Sequence, residues 1–87
     1  MAFVLVRLKV RDFSKWKRGF DSRASQRRKV TLRQKALMRN VRNPREVVIL
    51  FQAGNLKKAR AYGSSAALRK AIKASGVLGK PEMTYLK

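Results

Sequence analysis

The side chains that most often carry out enzyme chemistry are scarce in this chain. It has no histidine and no cysteine, and its only carboxylates are Asp12, Asp21, Glu46 and Glu82. A Ser-His or Cys-His nucleophile therefore cannot be assembled. A disulfide, a zinc site of Cys/His type and an axial imidazole to haem are excluded on the same ground. The four acids show no metal-ligand spacing, and no cofactor is expected. Asp21 is conceivable as a general base. Its neighbours Lys17 and Arg18 lie one helical turn or less away, so a solvated acid paired with a cation is the simpler reading.

Positive charge is what the chain has in excess. Lys and Arg number 23 against 4 Asp and Glu, a formal net charge of +19 at pH 7 over 87 residues. The apolar fraction, 45%, is that of an ordinary folded protein, so this is a folded domain with a basic coat rather than a disordered tail. A field of that size attracts nucleic acid, other polyanions or an oppositely charged protein. The contacts expected are Lys15, Arg18, Arg27 and Arg28 before the chain's midpoint, and Lys57, Lys58, Arg69, Lys70 and Lys73 after it. On residues alone the chain reads as non-enzymatic and cationic, associating with polyanions by nonspecific electrostatics.

The elements that position these residues follow from periodicity. Val47 to Phe51 is an unbroken apolar run rich in β-branched types, as in a strand covered on both faces. Asn43-Pro44 before it is a turn signal, and Leu32 to Val41 reads as its hairpin partner, joined near Arg42–Arg45. Arg33, Lys35 and Arg39 on one face suit an edge strand. Ala2 to Arg11 is a first strand, with Val4, Val6, Leu8 and Val10 on one face. Asp12 can cap a helix running to about Lys29, with Phe13, Trp16, Phe20 and Ala24 on its apolar face. Asn55 can cap a helix with Leu56, Ala59 and Tyr62 inward. Gly63-Ser64-Ser65 interrupts it, and Ser64 or Ser65 can cap a further piece containing Leu68 and Ile72. Gly76 is a stop signal, and a short last strand spans Glu82 to Leu86.

The order β-α-β-β-α-β predicts one α+β, ferredoxin-like domain over 1–87, with an antiparallel sheet in the order 4-1-3-2. RNA-recognition modules share this order, but they need stacking aromatics on strands one and three. Only Phe3 and Phe51 are available there. With helices on one face only, the second face of strands one and three needs cover. A small core without staples points to a homodimer. No apolar stretch approaches the ~20 residues of a membrane-spanning helix, and no signal peptide is evident, so a cytoplasmic location is expected.

Phe3-Val-Leu-Val-Arg7, Asp12-Phe…Trp16-Lys…Phe20-Asp21, Arg39-Asn40 with Asn43-Pro-Arg-Glu-Val-Val48, and Gly79-Lys-Pro-Glu82 resemble the small dimeric α/β-barrel proteins. These are relatives of the antibiotic-biosynthesis monooxygenases and cyclase-like proteins. The resemblance covers nearly the whole chain. It implies a homodimer whose facing sheets enclose a cavity, with Arg7, Arg39 and Asn40 at cavity positions. It also implies an alternative function, a cofactor-independent monooxygenase or cyclase-like enzyme acting on a small aromatic substrate, with Trp16 and Asn40 as candidates. The helices depart from the pattern in being basic where such relatives carry acids. That departure reads as an engineered, positively supercharged version of the fold.

Overall fold

The computed structural model describes residues 2–87. The elements are β1 (Ala2–Val10), α1 (Phe13–Ser22), α2 (Ala24–Lys29), β2 (Leu32–Arg39), β3 (Glu46–Ala53), α3 (Leu56–Gly63), α4 (Ala66–Ala74) and β4 (Val77–Leu86). The four strands form one sheet in the order β2-β3-β1-β4, antiparallel at every pairing. This is the α+β ferredoxin-like arrangement that the alternation of patterns predicts.

Period-two alternation sorts the two central strands. Val4, Val6 and Leu8 of β1 face Phe51, Ile49 and Val47 of β3 across the register, and these six and Val10 are buried under the helices. On the opposite face lie Phe3, Leu5, Val48 and Leu50, which are only half-buried. The apolar run of β3 thus supplies both faces, but within one chain only one of them is covered.

Three of the four helices, α1, α3 and α4, start where a side chain takes up an orphan backbone amide, whereas α2 follows α1 without a side-chain cap. Asp12 Oδ1 accepts from the Lys15 amide at 3.2 Å, Asn55 Oδ1 from Lys58 at 3.1 Å, and Ser65 Oγ from Leu68 at 3.2 Å. Of the two serines proposed as caps, Ser65 performs the role. Gly76 closes α4 with φ +83°, a left-handed conformation that glycine adopts without a Cβ clash.

Four local expectations are corrected. The first helix does not run unbroken to Lys29, because it breaks at Arg23, whose amide turns back to the Phe20 carbonyl at 3.2 Å. β2 ends at Arg39, and Asn40 already belongs to a turn in which its Oδ1 accepts from the Arg42 amide at 2.8 Å. A register shift between Gln34 and Ala36 moves Arg33 and Arg39 to opposite faces of the sheet. β4 begins at Val77 rather than Glu82. Pro81 is tolerated inside it because β4 is an edge strand and the ladder is irregular opposite Arg7–Lys9.

Candidate active site

α1 carries an aromatic stripe at the spacing that puts Phe13, Trp16 and Phe20 on one side. Trp16 stacks on Phe20 with ring centroids 4.9 Å apart, and Phe20 meets Phe51 of β3 at 6.2 Å. This ladder ties helix to sheet. It leaves, between them, a small apolar cavity of about 70 Å³. The sheet supplies Val6 and Ile49 to its floor, α3 supplies Ala59 and Tyr62, and α4 supplies Leu68 and Ile72. Tyr85 and Met83 of β4 close one side, with the Tyr85 hydroxyl 3.8 Å from the Met83 sulfur. Gly63 makes room there, since a Cβ at that position would come within 2.6 Å of the Tyr85 hydroxyl.

Two cations share this otherwise apolar wall. Arg23 and Arg27 both line the cavity. Arg27 is only 9% exposed and donates from Nη1 to the Phe20 carbonyl at 2.7 Å. Its guanidinium lies over the Phe20 ring, 3.8 Å from the centroid, with the Phe51 ring 6.0 Å away. Burial lowers its pKa; Arg23 and Arg28 act in the same direction, while Tyr62 and Asp21 oppose them. An arginine nevertheless keeps its charge at neutral pH. The ion pairs among the described residues are Arg7–Glu46 and Lys17–Asp21, so no carboxylate is within ion-pair reach of Arg27.

Arg7, Arg39 and Asn40, expected at a cavity between the facing sheets of a dimer, do not line this cavity between sheet and helices. Arg7 lies on the open face, its Nε 3.6 Å from Glu46 Oε1. Arg39 sits on the helix side at the sheet edge, over the Phe13 ring at 4.1 Å, with Nε donating to the Pro44 carbonyl at 3.0 Å. The Asn40 side chain is exposed and engaged in its turn. Trp16, by contrast, lines the cavity and is 2% exposed. Asp21 is exposed and held by Lys17 Nζ at 2.7 Å, away from the cavity lining.

The basic residues expected to hold polyanions are similarly dispersed. Lys15, Arg18 and Arg28 are exposed on α1 and α2, Lys57 and Lys58 on α3, and Arg69, Lys70 and Lys73 on α4. Arg27 is not part of that coat at all, because it is buried. The missed cavity residues were Arg27, Arg23, Tyr62 and Tyr85. For Arg27 a signal existed: it continues the spacing of Trp16, Phe20 and Ala24 onto the inward side of the helix.

The chain matches no protein-family model and no curated protein. Several solved structures share its fold nearly end to end. A protein of Bordetella bronchiseptica ascribed to the antibiotic biosynthesis monooxygenases superposes with a TM-score of 0.77 at 11% identity, covering 99% of this chain and 94% of that one. One of Caulobacter crescentus, similarly ascribed, gives 0.73 at 18% identity, covering 98% and 86%. A variant of SnoaB, a cofactor-independent oxygenase of Streptomyces nogalater, gives 0.72 at 11% identity, covering 99% and 90%. These neighbours correct the reading of the chain as a non-enzymatic polyanion binder. They back the oxygenase alternative better. What the likeness shows of this chain is its fold, that of the antibiotic-biosynthesis-monooxygenase-like α+β proteins.

Proposed function

We propose that the chain is a cofactor-independent monooxygenase acting on a small aromatic substrate held between its sheet and its helices. The observation that carries this reading is the apolar cavity lined by Trp16, Tyr62 and Tyr85, in a fold shared with a cofactor-independent oxygenase. An apolar pocket with a few convergent polar groups is the usual form of a small-molecule site. In such a reaction the substrate supplies its own electrons. A hydroxyarene and dioxygen give a quinone and water: one oxygen atom enters the ring, and the other leaves as water with two hydrogens of the substrate. The chain's own contribution is to bind and orient the ring and to keep bulk water from it. At about 70 Å³ the cavity is smaller than the ~150 Å³ that accommodates benzene in an engineered core, so a ring enters with movement of Tyr62 or Met83.

A second copy completes the molecule in this proposal. Phe3, Leu5, Val48 and Leu50 form an apolar face that the helices leave uncovered, with Met38 52% exposed beside it. Facing sheets would bury it over at least ~1,200 Å² in total. The basic coat spread over all four helices supports the reading of a supercharged version of this fold, in which the surface governs solubility and the cavity governs chemistry.

Oxygen uptake tests the function. Protein freed of metal with a chelator is given a panel of one- and two-ring hydroquinols in an oxygen electrode. Uptake proportional to protein concentration is expected. Uptake no faster than the buffer's autoxidation across the panel contradicts the proposal.

A further inference from the structure

A buried cation with no acid beside it needs a physical account. Transferring an isolated charge out of water costs several kcal/mol, and buried charges are ordinarily paired. Arg27 is nine-tenths buried, yet Asp21, the nearest acid in sequence, is engaged with Lys17, and the other three carboxylates serve elsewhere or lie in solvent. Arg23, one helical turn earlier, adds a second positive charge rather than a compensating one. Its Nη1 donates to Ser75 Oγ at 3.4 Å, a neutral partner at the end of α4. Of the five N–H donors on Arg27, one reaches the Phe20 carbonyl, and no nitrogen of the side chain is both sealed off and without a partner, so the free edge of the guanidinium stays accessible. The rings over which the guanidinium lies, Phe20 and Phe51, are cavity walls.

We propose that Arg27, supported by Arg23, is an oxyanion subsite of the cavity, and that the ligand carries an anionic oxygen, a carboxylate or a phenolate, directly on its aromatic ring. The inference rests on the cavity being a substrate site. It adds the class of substrate: an aryl acid or acidic phenol rather than a neutral arene. Phe20 and Phe51 hold the guanidinium plane, and the apolar surroundings strengthen any charge-assisted hydrogen bond made there. Without ligand, the position keeps a fixed positive charge at the cavity wall.

Binding, not turnover, is the test. Benzoate and its neutral isostere benzamide are titrated at moderate salt and read by the fluorescence of Trp16, the chain's single tryptophan, and by calorimetry. Benzoate is expected to bind at least ~10-fold more tightly, the effect of one charge-assisted hydrogen bond. Arg27→Met should abolish that preference, and Arg27→Lys should retain part of it. Arg28→Met, which removes an exposed charge one residue away, should leave it unchanged. 4-Nitrophenol separates the two anion classes, because a bound phenolate raises the phenolate absorbance with the unsubstituted protein and not with Arg27→Met. Far-UV circular dichroism confirms that each variant is folded. Equal affinity for benzoate and benzamide overturns the proposal, as does equal loss in Arg27→Met and Arg28→Met, which would mean that the overall field alone is responsible. Binding of neither probe overturns it as well. A benzoate preference that depends on Arg27, without oxygen uptake, would uphold the subsite and refute the oxygenase reading.

Discussion

Arg27 shows how one side chain can carry opposite meanings in sequence and in structure. Within Gln26-Arg27-Arg28-Lys29 it looks like part of a basic surface, yet its helical phase directs it under the sheet, where it lies over Phe20. Desolvation of a lone charge is unfavourable, whereas the contacts with the Phe20 carbonyl and ring are worth roughly 1–3 kcal/mol each way of counting. These terms nearly cancel. Arg27→Met is therefore expected to change stability by no more than about 1 kcal/mol, read as a urea midpoint. A loss well beyond that would make Arg27 a structural strut and not a ligand group. Asp21 is the contrasting case. It forms an exposed pair with Lys17, worth about 0.3–0.5 kcal/mol in a helix. Asp21→Asn should lower stability by that small amount and leave oxygen uptake unaltered. Loss of uptake would restore the general-base role.

At the scale of elements, α1, α3 and α4 were legible because their caps are written as single residues, whereas the uncapped α2 was read as a continuation of α1. Asp12, Asn55 and Ser65 each precede a helix and each accept an amide from it. Asp12→Ala should cost about 1 kcal/mol, as loss of an N-cap does, measurable as a fall in thermal midpoint. No loss would mean that aromatic packing alone fixes the start of α1. β4 was only half legible: Gly79 and Pro81 look like strand breakers, and only the pairing with β1 reveals that they sit in an edge irregularity. The cavity was less legible still. Its walls come from all four strands and all four helices, and no local spacing encodes such a convergence. Filling it offers a direct check. Leu68→Phe adds volume from α4 and should abolish uptake while the fold persists. Full activity would place the chemistry elsewhere.

At the scale of the molecule, the topology was readable because the change from period two to period 3.6 and back marks each element. The non-enzymatic reading failed because net charge says what a surface attracts and nothing about an interior. The open apolar face leads to a further expectation. At moderate salt, light scattering should give twice the chain mass of 10.0 kDa, and Leu50→Glu should return it to the monomer value. A monomer mass for the unsubstituted chain would refute the facing-sheet dimer. In the proposed function the cavity oxygenates an aromatic ring with dioxygen alone. The most direct measurement is mass spectrometry of the product formed under ¹⁸O₂ from a one- or two-ring hydroquinol by chelator-treated protein. One labelled oxygen atom per product molecule is expected, in an amount that scales with protein and falls to background in Leu68→Phe. Label incorporated no faster than in buffer, or equally by the cavity-filled variant, would contradict it.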